Sequence, residues 1–141
     1  RADVVTEKLQ ELAHRVERVR ACCPPTADDL ARDENAAELV AFNLMLAVQV
    51  CADIASHFIA DEGLRTAVTL ATAFRRLAEH GVITDETARA MARAASFRNI
   101  VAHGYARLDL AAAFRAATEG LGDLVAFGRE VAAYVQRAPN A

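Results

Sequence analysis

The sequence contains no tryptophan, three cysteines, three prolines and six glycines in 141 residues, and only 6% of it is aromatic. The cysteines stand at 22, 23 and 51. An odd count without regular spacing excludes a disulfide framework and fits a reducing cytoplasm. The adjacent pair Cys22-Cys23 also lacks the two-residue gap of a zinc or redox motif. The residues that break helices are scarce, while alanine, the best helix former, occurs 33 times. Valine and isoleucine are scattered, which argues against a sheet. With 54% hydrophobic and 25% charged residues, the chain has too much apolar content to be disordered. The length suits one domain over 1–141 that buries roughly two-thirds of its unfolded surface without a disulfide or metal staple.

Lysine is nearly absent too: Lys8 is the only one, against 15 arginines. The net charge of −3 is unevenly spread. Residues 1–62 carry 6 basic and 12 acidic side chains; residues 63–141 carry 10 and 7. An acidic total argues against a nucleic-acid coat protein but leaves room for a local arginine-lined cleft. The N-terminal RADVVTEKLQEL carries charge throughout and does not read as a signal or transit sequence. Leu39 to Ala52 is a run of 14 residues without formal charge, too short to span a bilayer, so a core helix in a soluble protein is expected.

Periodicity predicts an all-α antiparallel bundle of about five helices. Val4 to Cys22 has apolar residues at 5, 9, 12, 16 and 19, and Pro24-Pro25 ends it. A polar segment with Thr26, Asp28 and Asp29 leads into a second helix over about 33–60. That helix is apolar on nearly every side from Leu39 to Phe58, as expected of a central helix that serves a core and a subunit interface. A third helix is expected near 66–80 with Gly81 at its C-terminus. A fourth starts at Thr84, and a long last one runs from an Asp109 cap to about Gln136.

Chemistry concentrates in Arg98-Asn99-Ile100-Val101-Ala102-His103-Gly104-Tyr105. On a helix Asn99 and His103 share a face, with Arg98 beside it. These residue types suit RNA cleavage without a metal. The 2′-hydroxyl must lose a proton as it attacks phosphorus, and the leaving 5′-oxygen must gain one; histidine titrates near neutrality and serves either step. Arginine can hold the phosphate and stabilise transition-state charge, and asparagine can orient the imidazole. One histidine does not readily serve as base and acid at once, which makes a two-fold dimer with paired sites attractive. No carboxylate cluster adjoins the motif to bind Mg²⁺, and no glycine-rich phosphate loop is present. An arginine and a histidine at this spacing also arise by chance, as a surface ion pair and a helix-end imidazole.

The surroundings narrow that choice. Phe97-Arg98-Asn99, His103, Gly104 and Tyr105 form a pattern similar to the HEPN superfamily, and within it to the HepT-like toxins of MNT–HEPN toxin–antitoxin systems. The second helix resembles that family through Asn43-Leu44, Ala47, Gln49, Asp53-Ile54-Ala55 and His57-Phe58-Ile59. The third does so through Phe74, Leu77-Ala78 and Gly81-Val82-Ile83. The likeness spans about residues 36–136. It implies an all-helical homodimer with endoribonuclease activity and a composite cleft lined by Arg98 and His103, and a 2′,3′-cyclic phosphate product is expected. It further implies an MNT-type nucleotidyltransferase antitoxin that adenylylates Tyr105, adding charge and bulk that would repel RNA. Neither a cofactor nor a metal is implied.

Gln49, Asp53 and His57 stand at four-residue steps. They read as a polar seam in the bundle, with Asp53 and His57 as partners, or as support for the site beside Asn99. They could also be half of a metal site, for which no third ligand is evident. His14 is expected exposed, and His80 lies near a helix C-terminus where an imidazolium is favoured. Arg75, Arg76, Arg89 and Arg93 read as a solvated face, with an RNA-binding rim as the alternative. The cysteines read as inert. Two functions remain: an RNA endonuclease toxin, favoured by the intact Arg98/His103 pair, and a non-catalytic HEPN helper that binds or positions substrate for a nucleotidyltransferase.

Overall fold

The computed structural model describes residues 2–102 and 109–137. Among them the chain forms seven helices and no strand: α1 (Ala2–Cys22), α2 (Ala27–Arg32), α3 (Glu34–Asp61), α4 (Leu70–Glu79), α5 (Asp85–Ala102), α6 (Leu110–Thr118) and α7 (Leu121–Arg137). The apolar stripe of α1 buries Val5, Leu12, Val16 and Val19 against α3 and α7. Helix α3 extends about 42 Å at 1.5 Å per residue. It is long and apolar enough to cross a membrane by length and composition. Most of that apolar surface is instead covered by the other helices: Val40, Leu44, Val48, Cys51, Ile54 and Phe58 are all buried. Alanines at 36, 37, 41, 47, 52 and 55 keep its flanks narrow, so helices pack closely around it.

Local chemistry sets the helix starts. Hydroxyl or carboxylate oxygens of Thr26, Asp33, Thr69, Thr84 and Asp109 accept from a backbone N–H three residues on, and so satisfy donors that a helix start leaves open. The Thr69 bond fixes the start of α4 at Leu70, later than the expected 66. After α4, Gly81 takes φ +81°, a left-handed conformation suited to glycine, and Val82 N–H donates to Leu77 O.

Two features depart from the five-helix expectation. The polar segment after Pro25 winds into α2, whose Leu30 is fully buried. The expected long last helix is divided in two at Gly120. There the turn is so tight that a Cβ would stand 2.8 Å from Ala116 O, which leaves room only for glycine. Gly120 N–H donates to Arg115 O across the break.

Candidate functional site

Helix α5 carries the first half of the motif. Its N-terminus is clamped by Glu130 of α7, whose carboxylate accepts from Thr84 N–H at 2.8 Å and from the Thr87 hydroxyl at 2.7 Å. Met91 and Phe97 anchor the helix in the core. Arg98 and Asn99 follow Phe97 directly and lie within the helix, which continues to Ala102. Arg98 stands one turn beyond Ala94 along the helix. His103, Gly104 and Tyr105 lie outside the described residues.

Beside this end of α5 is a cavity of about 520 Å³, within the range of small-ligand sites. Leu44 and Val48 of α3, Phe97 of α5 and Leu124 of α7 supply its apolar walls. Its polar lining comes from Arg93 and Ser96 on α5, Arg115 on α6, and Glu119 and Asp123 around the Gly120 break. The Ser96 hydroxyl donates to Arg93 O at 2.8 Å. The side chains of Arg93, Arg115, Glu119 and Asp123 form no ion pair among the described residues.

The polar steps along α3 are resolved into two separate pairs. Gln49 Nε2 donates to Asp53 Oδ1 at 3.1 Å, and Lys8 Nζ of α1 stands 3.4 Å from Asp53 Oδ2. The His57 imidazole meets Asp61, with Nε2 3.0 Å from Oδ2. Each member of the expected Asp53–His57 pair thus has another partner. Asp53 is not buried: its side chain is 42% exposed, so it can retain much of its hydration. His57 is about 14 Å along α3 from Val48 at the cavity wall, taking 1.5 Å per residue. Among the described residues no three His, Cys, Asp or Glu side chains gather as a metal site.

Sequence reasoning did not foresee two polar clusters, one around the buried Asn43 and one around Glu62 nearer the surface. Asn43, 3% exposed, accepts from Arg15 Nη1 at 3.0 Å and donates to Leu39 O at 2.8 Å. The sequence shows Asn43 within an apolar run and in the family-like pattern of the second helix, but not its bond to Arg15. Glu62, just after α3, joins His80 Nε2 at 2.8 Å and accepts from the Tyr134 hydroxyl at 2.9 Å. Phe58 packs edge-on against the Tyr134 ring, and the Arg137 guanidinium lies 5.7 Å from its centre. Burial, followed by the hydrogen bond to Glu62, pushes the Tyr134 phenol up. Burial also pushes the Cys51 thiol up, and the same effect, with Cys22 nearby, raises Cys23. Neither cysteine has the lowered pKa of an activated nucleophile.

On the exterior, α3 leaves Leu39 42% and Phe42 49% exposed, one helical turn apart on its N-terminal half. These are large apolar groups on a helix that is otherwise well covered.

Comparison with known proteins gives a consistent picture. The chain superposes on a toxin–antitoxin structure solved with AMP-PNP with a TM-score of 0.86 at 21% identity, covering 93% of this chain and 98% of that one. A tri-AMPylated HEPN toxin from Shewanella oneidensis, in complex with an MNT antitoxin, gives 0.84 at 22% identity, with the same coverage. A cytosolic protein of unknown function from Bacillus subtilis, YutE, gives 0.85 at 12% identity, covering 99% of this chain and 93% of that one. No curated protein sequence matches the chain. At these identities the structural likenesses establish the fold. The family described as Ribonuclease HepT-like matches residues 7–131, nearly the whole sequence, and the chain belongs to that family.

Proposed function

We propose that residues 1–141 form one domain that acts as a cytoplasmic endoribonuclease toxin, working as a homodimer without a metal ion. The observation that carries this reading is the family match over 7–131, which encloses the complete Phe97-Arg98-Asn99…His103-Gly104-Tyr105 motif. In the proposed reaction the RNA 2′-hydroxyl loses its proton and its oxygen bonds to the adjacent phosphorus. The bond from phosphorus to the 5′-oxygen breaks, and that oxygen takes up a proton. The products are a 2′,3′-cyclic phosphate and a free 5′-hydroxyl. His103 serves one proton transfer and its copy in the partner subunit the other, while Arg98 neutralises the charge that builds on phosphate oxygens. Asn99 would orient the imidazole; Asp53 and His57 are assigned at most a supporting part. The exposed Leu39 and Phe42 favour a self-complementary contact that would bring two motifs together.

Two of the structural relatives are described as toxin–antitoxin complexes, one of them tri-AMPylated, which supports an MNT-type nucleotidyltransferase partner for this chain. Tyr105 is the residue proposed to receive the nucleotide. Protein checked by mass for an unmodified Tyr105 should cleave transfer RNA or messenger RNA in excess EDTA, leaving cyclic phosphate ends. Loss of cleavage on chelation, or ends of another chemistry, would refute the mechanism. No cleavage of either RNA would favour the helper reading instead.

A further inference from the structure

The cavity beside α5 has no part in the chemistry described above, yet it lies within about one helical turn of Arg98, or about 5.4 Å along the axis. We infer that it is a recognition pocket for a guanine base next to the cleaved phosphate, an assignment that rests on the ribonuclease reading.

Three features point to a base. The walls from Leu44, Val48, Phe97 and Leu124 are apolar and suit a flat ring face. The volume of about 520 Å³ leaves room for a purine and its sugar. The polar lining combines carboxylates, which can accept from a base edge, with guanidiniums, which can hold an attached phosphate.

The choice of guanine follows from donors and acceptors. Glu119 and Asp123 are acceptors when ionised, and neither is engaged by a cation among the described residues. Only guanine offers two adjacent donors, N1–H and the 2-amino group, on its pairing edge. Adenine and cytosine set an acceptor beside their amino group, which would face a carboxylate unfavourably. Uracil has one donor between two carbonyls. Arg93 and Arg115, also without ion-pair partners, are free to take the flanking phosphate. A protein ligand would need a larger apolar footprint than this cavity presents, so a nucleotide fits better.

The test combines sequencing of cut ends from a random-sequence RNA with anisotropy binding of uncleavable 2′-O-methyl oligonucleotides that carry each base in turn. Wild type should prefer guanine at one position flanking the cut by about tenfold, the scale of one good bidentate contact. Glu119→Gln with Asp123→Asn should reduce that preference to about threefold or less, with cleavage at guanine sites falling toward the rate at the other bases. Ala116→Phe, which fills the cavity from α6, should do the same; thermal melting of each variant establishes that it is folded. A flanking preference that survives in folded forms of both variants would overturn the assignment, as would no preference in wild type. Variants that lose only nucleotidyltransferase binding would overturn it too, and would give the cavity to that partner. If wild type cleaves no RNA, the ribonuclease reading fails by itself. Guanine-selective binding that Glu119→Gln with Asp123→Asn reduces to about threefold or less would still support the pocket, and its absence would overturn it.

Discussion

Where α3 and α4 finish and α5 begins, polar side chains from several elements close on one another. Glu62 holds His80 and Tyr134, and Glu130 holds Thr84 and Thr87. Where α5 finishes and α6 and α7 begin, Arg93, Arg115, Glu119 and Asp123 surround a cavity without pairing, and Leu39 and Phe42 on the N-terminal half of α3 are exposed. The first region spends its polar groups on itself and contributes to stability. The second leaves charge and apolar surface available, as the proposed site for RNA and a partner subunit requires. Substitutions should therefore separate cleanly, with stability governed at one end and activity at the other.

The largest effect is expected from Leu39→Asp with Phe42→Asp. Each apolar side chain is worth roughly 1.5–3 kcal/mol when buried, and each counts twice in a two-fold dimer. The dimer should weaken by about 100-fold or more, with cleavage falling in parallel and the monomer's melting temperature unchanged. Analytical ultracentrifugation reads this; a dimer that persists would place its interface elsewhere.

Glu130→Ala should destabilise the fold by about 2 kcal/mol, because Thr84 N–H and the Thr87 hydroxyl both lose a charged acceptor. Urea unfolding checks it, and a loss under about 0.5 kcal/mol would show that the clamp adds nothing beyond the Thr84 cap.

Tyr134→Phe should cost about 1 kcal/mol near neutral pH, since Glu62 keeps His80. Because the Tyr134 phenol is raised in the folded state, its contribution is complete below the ordinary tyrosine value. It is lost as pH rises through the folded value, where the phenolate would face Glu62. The difference between wild type and Tyr134→Phe should thus close in alkali. A difference that widened there would contradict the assigned direction.

Smallest is the stability change for Arg115→Ala, within about 0.5 kcal/mol, because its guanidinium has no ion pair to lose. RNA affinity should nevertheless fall, with a shallower salt dependence. An unchanged salt slope would remove Arg115 from the RNA surface.

What the sequence made legible was contiguous. The stripe of α1, the Thr84 and Asp109 caps, Gly81 and the apolar core of α3 each depend on residues within a few positions. The break at Gly120 escaped notice because the apolar spacing runs through it; the Ala116 carbonyl that excludes a Cβ becomes apparent only in three dimensions. The spacing on α3 was ambiguous in a particular way. Gln49, Asp53, His57 and Asp61 are all four apart, so the 53–57 pairing and the observed 49–53 and 57–61 pairings fit the sequence equally. Lys8 of α1 draws Asp53 toward itself and helps decide between them. The motif stood out because its residues are adjacent, whereas the cavity beside it gathers residues from four helices that no local pattern links.

The most direct test of the division between the two ends is to assay His103→Ala and Tyr134→Phe side by side for RNA cleavage in excess EDTA and for thermal unfolding. His103→Ala should lose about 100-fold or more of the activity and melt with wild type, while Tyr134→Phe should melt lower and cleave at the wild-type rate. Full activity in folded His103→Ala would contradict the account.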